Sequence, residues 1–144
     1  MGISTRESDI NLKRARNFNE FLAMNKKNML TLTLSEYLNQ LLEYKSLKLT
    51  SVIRKSGLVK TYVYQIFNGE KNPSRDKLIA LAFGLELNEE ETQRMLKLGG
   101  CSELFPRIER DALILFNIQH GKSIDETEAE LYDHGFDTLL SRNG

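Results

Sequence analysis

Ser56-Gly57-Leu58-Val59-Lys60-Thr61-Tyr62-Val63-Tyr64-Gln65-Ile66-Phe67-Asn68-Gly69-Glu70-Lys71-Asn72-Pro73-Ser74 is the stretch that decides how this 144-residue chain is read. Val59, Val63, Ile66 and Phe67 stand at i, i+4, i+7 and i+8, one face of a helix. The spacing predicts a short helix over about 60–68. Gly57 suits a stop that needs φ > 0, and Gly69 ends the helix in the same way. Asn72-Pro73 makes a turn, because the residue before a proline resists the α region, and Ser74 can cap the next helix.

Upstream, Thr33 with Glu36 is a capping-box pattern, and Leu34, Leu38, Leu41 and Leu42 follow at helical spacing with Tyr37 beside them. This predicts a first helix to about Lys45. A second, over Thr50–Lys55, turns Val52 and Ile53 inward and is expected to cross above the 60–68 helix through Val52, Ile53, Leu58, Val63 and Ile66. Downstream, Leu78, Ile79, Leu81, Ala82 and Leu85 supply a fourth helix. Asn88 with Glu91 opens a fifth that carries Met95, Leu96 and Leu98 and stops at Gly99-Gly100. Residues 1–32 are polar and basic (Lys13, Arg14, Arg16, Lys26, Lys27), with a short stripe of Phe18, Phe21 and Leu22 and with Met29 further on. They are expected to form a partly helical arm.

A pattern recurs at an offset of 35. Arg75, Asp76, Leu78, Ile79, Glu91, Thr92, Leu96, Gly100 and Leu104 reappear as Arg110, Asp111, Leu113, Ile114, Glu126, Thr127, Leu131, Gly135 and Leu139. Ser123 with Glu126 caps the second copy, so a duplicated helical hairpin is expected.

The charges divide along the chain. Residues 1–73 hold 12 Lys/Arg against 6 Asp/Glu, while residues 74–144 hold 8 against 14, so a net charge of zero conceals a basic front and an acidic back. The apolar runs are far below the roughly 20 residues of a membrane span. The first residues lack a secretory pattern, and the single cysteine, Cys101, forms no internal disulfide. A cytoplasmic location without membrane contact is expected.

With Val63, Ile66 and Phe67 inward, the 60–68 helix leaves Lys60, Thr61, Tyr64, Gln65 and Asn68 on its free face, with Tyr62 at the flank. Such a face fits a major groove about 12 Å wide. Lys60 can donate to guanine, Gln65 can pair with adenine, and Thr61 offers a methyl or a hydroxyl to a base edge. Asn68, Lys71, Asn72 and, at the start of the second helix, Ser51 with its neighbouring amides suit phosphates.

Ser56-Gly57-Leu58, Lys60-Thr61, Val63 and the run Ile66 to Ser74, followed by Leu78, Leu81-Ala82 and Leu85, resemble the Cro/C1-type (lambda-repressor-like, XRE) helix-turn-helix family. The likeness covers about 33–98, and the Asn-Gly-x-x-x-Pro-Ser run is its most specific part. It implies an all-α fold: a five-helix helix-turn-helix bundle followed by the duplicated hairpin. It places Lys60, Thr61, Tyr64 and Gln65 on base-reading positions and Asn68 on a backbone-contacting one. The residues from Asn88 to Leu140 look like an extension found on some members. The expected organisation is a basic arm over 1–32, a helix-turn-helix domain over 33–100 and an acidic hairpin extension over 101–144.

The function expected from these readings is a DNA-binding transcriptional regulator, a repressor acting as a homodimer on double-stranded DNA, with half-sites about 34 Å apart. An acidic C-terminal half could also dock a protein partner. The alternative is a protein-interaction adaptor on the same scaffold, with Leu49, Tyr62 and Tyr64 forming a partner surface. An enzyme is not expected. His120 and His134 sit before glycines, as helix C-caps do, and Glu89-Glu90-Glu91 fits a first helical turn. No catalytic, metal or cofactor motif stands out.

Overall fold

The computed structural model describes residues 32–141. Among them the chain forms seven helices and no strand: α1 Leu34–Tyr44, α2 Leu49–Ser56, α3 Lys60–Phe67, α4 Arg75–Gly84, α5 Glu89–Leu98, α6 Glu109–Gln119 and α7 Ile124–Asp133. The fold is all-α, as the sequence predicts, and no described helix is long and apolar enough to cross a membrane. The arm expected over residues 1–32 lies, apart from Leu32, outside the described residues.

Helix starts follow the caps. Thr33, Asn88 and Ser123 each accept from the backbone N–H three residues on, and Glu36, Glu91 and Glu126 each accept from the cap's own N–H. Ser74 has the extended backbone of an N-cap at α4, but its side chain makes no capping bond.

One continuous core runs from Tyr37 to Leu139. Tyr37, Leu38 and Leu41 of α1, Val63 and Ile66 of α3, Leu78 and Leu81 of α4 and Met95 and Leu96 of α5 are buried in it. Each such side chain contributes about 1.5–3 kcal/mol through removal from water. The expected crossing of the second helix over the third is not the main packing: α2 lies chiefly on α4, and α3 chiefly on α1. The reason is Gly84. A Cβ there would stand 2.6 Å from the Val52 carbonyl oxygen and 2.8 Å from Ser56 Cβ, so only glycine lets α2 approach α4 this closely.

The hairpins α4–α5 and α6–α7 correspond at 35 residues in detail. Arg75 Nε donates to Ser102 O and Arg110 Nε to Asp137 O. Thr92 Oγ1 donates to Asn88 O and Thr127 Oγ1 to Ser123 O. Gln93 brackets Leu104 through its N–H and carbonyl, and at the matching place Glu128 accepts from Leu139 N and Leu140 N. Between the hairpins the bonds are reciprocal: Arg75 pairs with Asp111 at 2.8 Å, and Arg110 with Asp76 at 3.1 Å. Likewise α4 meets α7 and α5 meets α6. Reciprocity of this kind is the signature of a two-fold arrangement, here within one chain.

Candidate nucleic-acid interface

Two neighbours fix α3 at its ends. At the C-terminal end, Asn39 of α1 donates to the Phe67 carbonyl at 2.9 Å, using a capacity the end of a helix leaves open. Gly69, at φ 79°, donates to Ile66 O, and Glu70 N reaches Gln65 O at 2.8 Å, the Schellman closure. Lys71 N also reaches Gln65 O, at 3.3 Å, which folds the following loop against the end of α3.

At the N-terminal end, Ser56 Oγ donates to Ile53 O and accepts from Leu58 N, closing the turn between α2 and α3. Gly57 has φ 72°, and the Leu140 methyl lies 2.7 Å from where a Cβ would stand. The C-terminal segment therefore packs on the turn. It leaves the outward side of α3 open.

On that side Lys60, Thr61, Tyr64 and Asn68 are exposed, Tyr64 by 39%, and Gln65 is half-buried. The Lys60 ammonium lies 5.9 Å from the Tyr64 ring centre, so the first turn presents a cation and an aromatic surface together. Lys71 and Asn72 are exposed in the loop that follows. Ser51 sits apart from this set in α2, half-buried, and its N–H is already bonded to Lys48 O at 3.0 Å. Only its hydroxyl remains for a phosphate, while the geometry of a helix start gives the amides of Leu49 and Thr50 no intrahelical acceptor. Arg54 is exposed nearby in sequence, and Lys55 is paired with Glu86 at 3.1 Å.

Leu49 and Tyr62 are half-buried and packed against the core. Burial pushes the Tyr62 phenol above its ordinary range, opposed by a hydrogen bond from the Ser74 backbone. Sequence reading did not single out Asn39 or Leu140. A polar residue on a helix flank and a leucine near the last residues carry no periodic signal; their roles come from elements 28 and 83 positions away.

Other titratable groups hold structural positions. His120 and His134 are C-cap residues, with Nδ1 2.8 Å from Phe116 O and Glu130 O respectively. Cys101 is half-buried and its thiol is pushed up by burial. Among the described residues no three His, Cys, Asp or Glu side chains are placed to hold a metal ion. Comparison of the chain with protein-family models, with curated proteins and with solved structures found no match.

Proposed function

We propose that the chain is a DNA-binding transcriptional regulator of the lambda-repressor-like helix-turn-helix type, in which α2 and α3 form the motif and α3 enters the major groove. The observation that carries this reading is the division of α3. Val63, Ile66 and Phe67 are buried, while Lys60, Thr61, Tyr64 and Asn68 stand open on a helix whose ends are both fixed. A helix held in this way presents donors to base edges without first having to be ordered.

Lys60, Thr61, Tyr64 and Gln65 are assigned to bases; Asn68, Lys71, Asn72 and the Ser51 hydroxyl are assigned to phosphates. The protein acts as a cytoplasmic homodimeric repressor on a palindromic site, and the two hairpins are copies of one duplicated unit. The adaptor reading needs Leu49, Tyr62 and Tyr64 on one open surface. Two of the three pack on the core, which favours DNA.

Gel-shift titration at two salt concentrations tests this. Wild-type affinity for duplex DNA falls steeply with salt, because phosphate contacts release counterions. Gln65→Ala relaxes preference at one base pair, a loss of about 1–3 kcal/mol in discrimination. Lys71→Ala weakens all sequences alike and lowers the salt slope by about one. Two variants that behave identically, or a wild type indifferent to salt, overturn the assignment.

A further inference from the structure

Position for position, the two hairpins differ in what lies over them. On the first, α1 packs on α5 and α2 on α4, and Leu34 of α1 comes within 3.6 Å of where a Cβ of Gly99 would stand. Leu78, Leu81 and Met95 are accordingly sealed. Their counterparts at 35 residues are Leu113, Phe116 and Glu130, which with His134 and Phe136 line an open groove of about 390 Å³. Phe116 is 49% exposed where Leu81 is 0%. No described residue takes the place of α1 there.

The lining of this groove includes a buried acceptor with nothing to accept. Asn117 Nδ2 donates to Thr127 Oγ1 at 2.9 Å and to Glu130 Oε1 at 3.3 Å. The Thr127 hydroxyl spends its proton on Ser123 O, and a carboxylate can only accept, so the amide nitrogen must face this pair. That orientation leaves Asn117 Oδ1 buried without a donor. A ligand that brings an N–H or an ammonium relieves it; a purely apolar one does not.

We propose that this groove docks an amphipathic, basic helix of another protein. Apolar residues of that helix at i, i+3 and i+4 rest on Leu113 and Phe116, and a lysine or arginine pairs with Glu130 and, once the Asn117 side chain turns outward, supplies the donor its Oδ1 lacks. The molecule contains its own precedent. On the first hairpin α1 supplies Leu34, Leu38 and Leu41 and is followed by Lys45, whose ammonium is 3.0 Å from Glu91. Charge selects the partner: Glu109 and Glu130 both line the groove, and the cation beside it, Lys122, lies 5.5 Å from the Phe116 ring centre and is already paired with Glu130. The site stands whether or not α3 reads DNA.

The test uses the full chain and a dye-labelled synthetic helix of leucines at i, i+3, i+4 and i+7 with lysines elsewhere, followed by fluorescence anisotropy. A matched peptide with glutamates for lysines is the control. The lysine peptide binds, and the glutamate peptide binds about ten-fold more weakly or not at all. Phe116→Ala and Glu130→Gln each weaken the lysine peptide by about five-fold or more, while Tyr132→Ala, an exposed aromatic on the same hairpin but outside the groove lining, leaves it unchanged. Equal binding of both peptides, absence of binding, or an unaffected Phe116 variant overturns the proposal. So do NMR contacts in the free chain between the Phe116 ring and residues 1–31, which assign the groove to the chain's own segment. Concentration-dependent Phe116 shifts assign it to a second copy and overturn it equally.

Discussion

The α4–α5 and α6–α7 hairpins share capping boxes and closing turns, and each holds an arginine and an aspartate that pair with those of the other, yet they have different neighbours. The first is roofed by α1 and α2; the second carries an open, mostly apolar groove that includes Glu109 and Glu130. The comparison teaches how neighbours select side chains at equivalent backbone positions. Where α2 presses on α4, position 84 must be glycine. At position 119, with no such neighbour, a glutamine is exposed and reaches Glu89. Where α1 covers α5, position 95 is methionine; in the open copy, position 130 is a glutamate.

The reciprocal ion pairs offer the strongest way to break the resemblance. Asp111 is almost fully buried and takes Arg75 and the Phe105 N–H, whereas Asp76 keeps a fifth of its side chain in water. Arg75→Met strands a buried charge and lowers stability by about 3 kcal/mol or more. Arg110→Met strands a less deeply buried one and costs less, about 1–2 kcal/mol. Urea unfolding of the two variants reads the difference, and equal losses mean that burial does not separate the pairs.

Steric contrast comes next. Gly84→Ala drives a methyl into the Val52 carbonyl and costs about 1–3 kcal/mol, while Gln119→Ala at the matching place stays within about 0.5 kcal/mol. Thermal denaturation of both variants checks this. A neutral Gly84→Ala would mean that α2 can move away from α4 freely.

How much of this could be read beforehand follows from the range of each signal. Helix spans, caps and the 35-residue echo are local, and the chain states them through Thr33, Asn88, Ser123 and the leucine spacing. The open face of α3 was legible for the same reason, since Val63, Ile66 and Phe67 fix which side points inward. The pairing of Arg75 with Asp111 was hidden although both residues belong to the echo, because linear order names no partner across 36 positions. The open groove was hidden more deeply. Leu113 and Phe116 look like Leu78 and Leu81, and only the placement of α1 and α2 separates a sealed face from an open one.

Turn chemistry sharpens the comparison at smaller scale. Glu86 and Gly121 occupy the same left-handed position after α4 and α6, at φ 54° and 66°. Gly121→Ala costs about 1 kcal/mol, because a Cβ disfavours that conformation. Glu86→Gly relieves the strain but forfeits an exposed ion pair with Lys55 and gives the unfolded chain more freedom, so its net gain is smaller, under about 1 kcal/mol. Calorimetry of the pair reads opposite signs.

The smallest expected effect is a titration. The Ser123 backbone and hydroxyl hold the Glu126 carboxyl below its ordinary 4.5. The cap it supports is therefore complete above that value and fades as pH falls through the depressed one. Ser123→Ala removes the hydroxyl's share and moves the Glu126 midpoint part of the way back up in an NMR pH titration; an unmoved midpoint would leave the Ser123 backbone N–H as the cause.

The contact of Leu140 with Gly57 has a consequence for biogenesis. Leu139 completes the core and Leu140 covers the turn ahead of α3, although the two partners are 83 residues apart. During synthesis, at roughly 5–20 residues per second, that turn waits several seconds for its last packing partner. A ribosome-stalled chain ending before Leu139 would leave the turn ahead of α3 uncovered, so the packing that fixes this end of α3 arrives with the segment after α7 rather than with α3 itself.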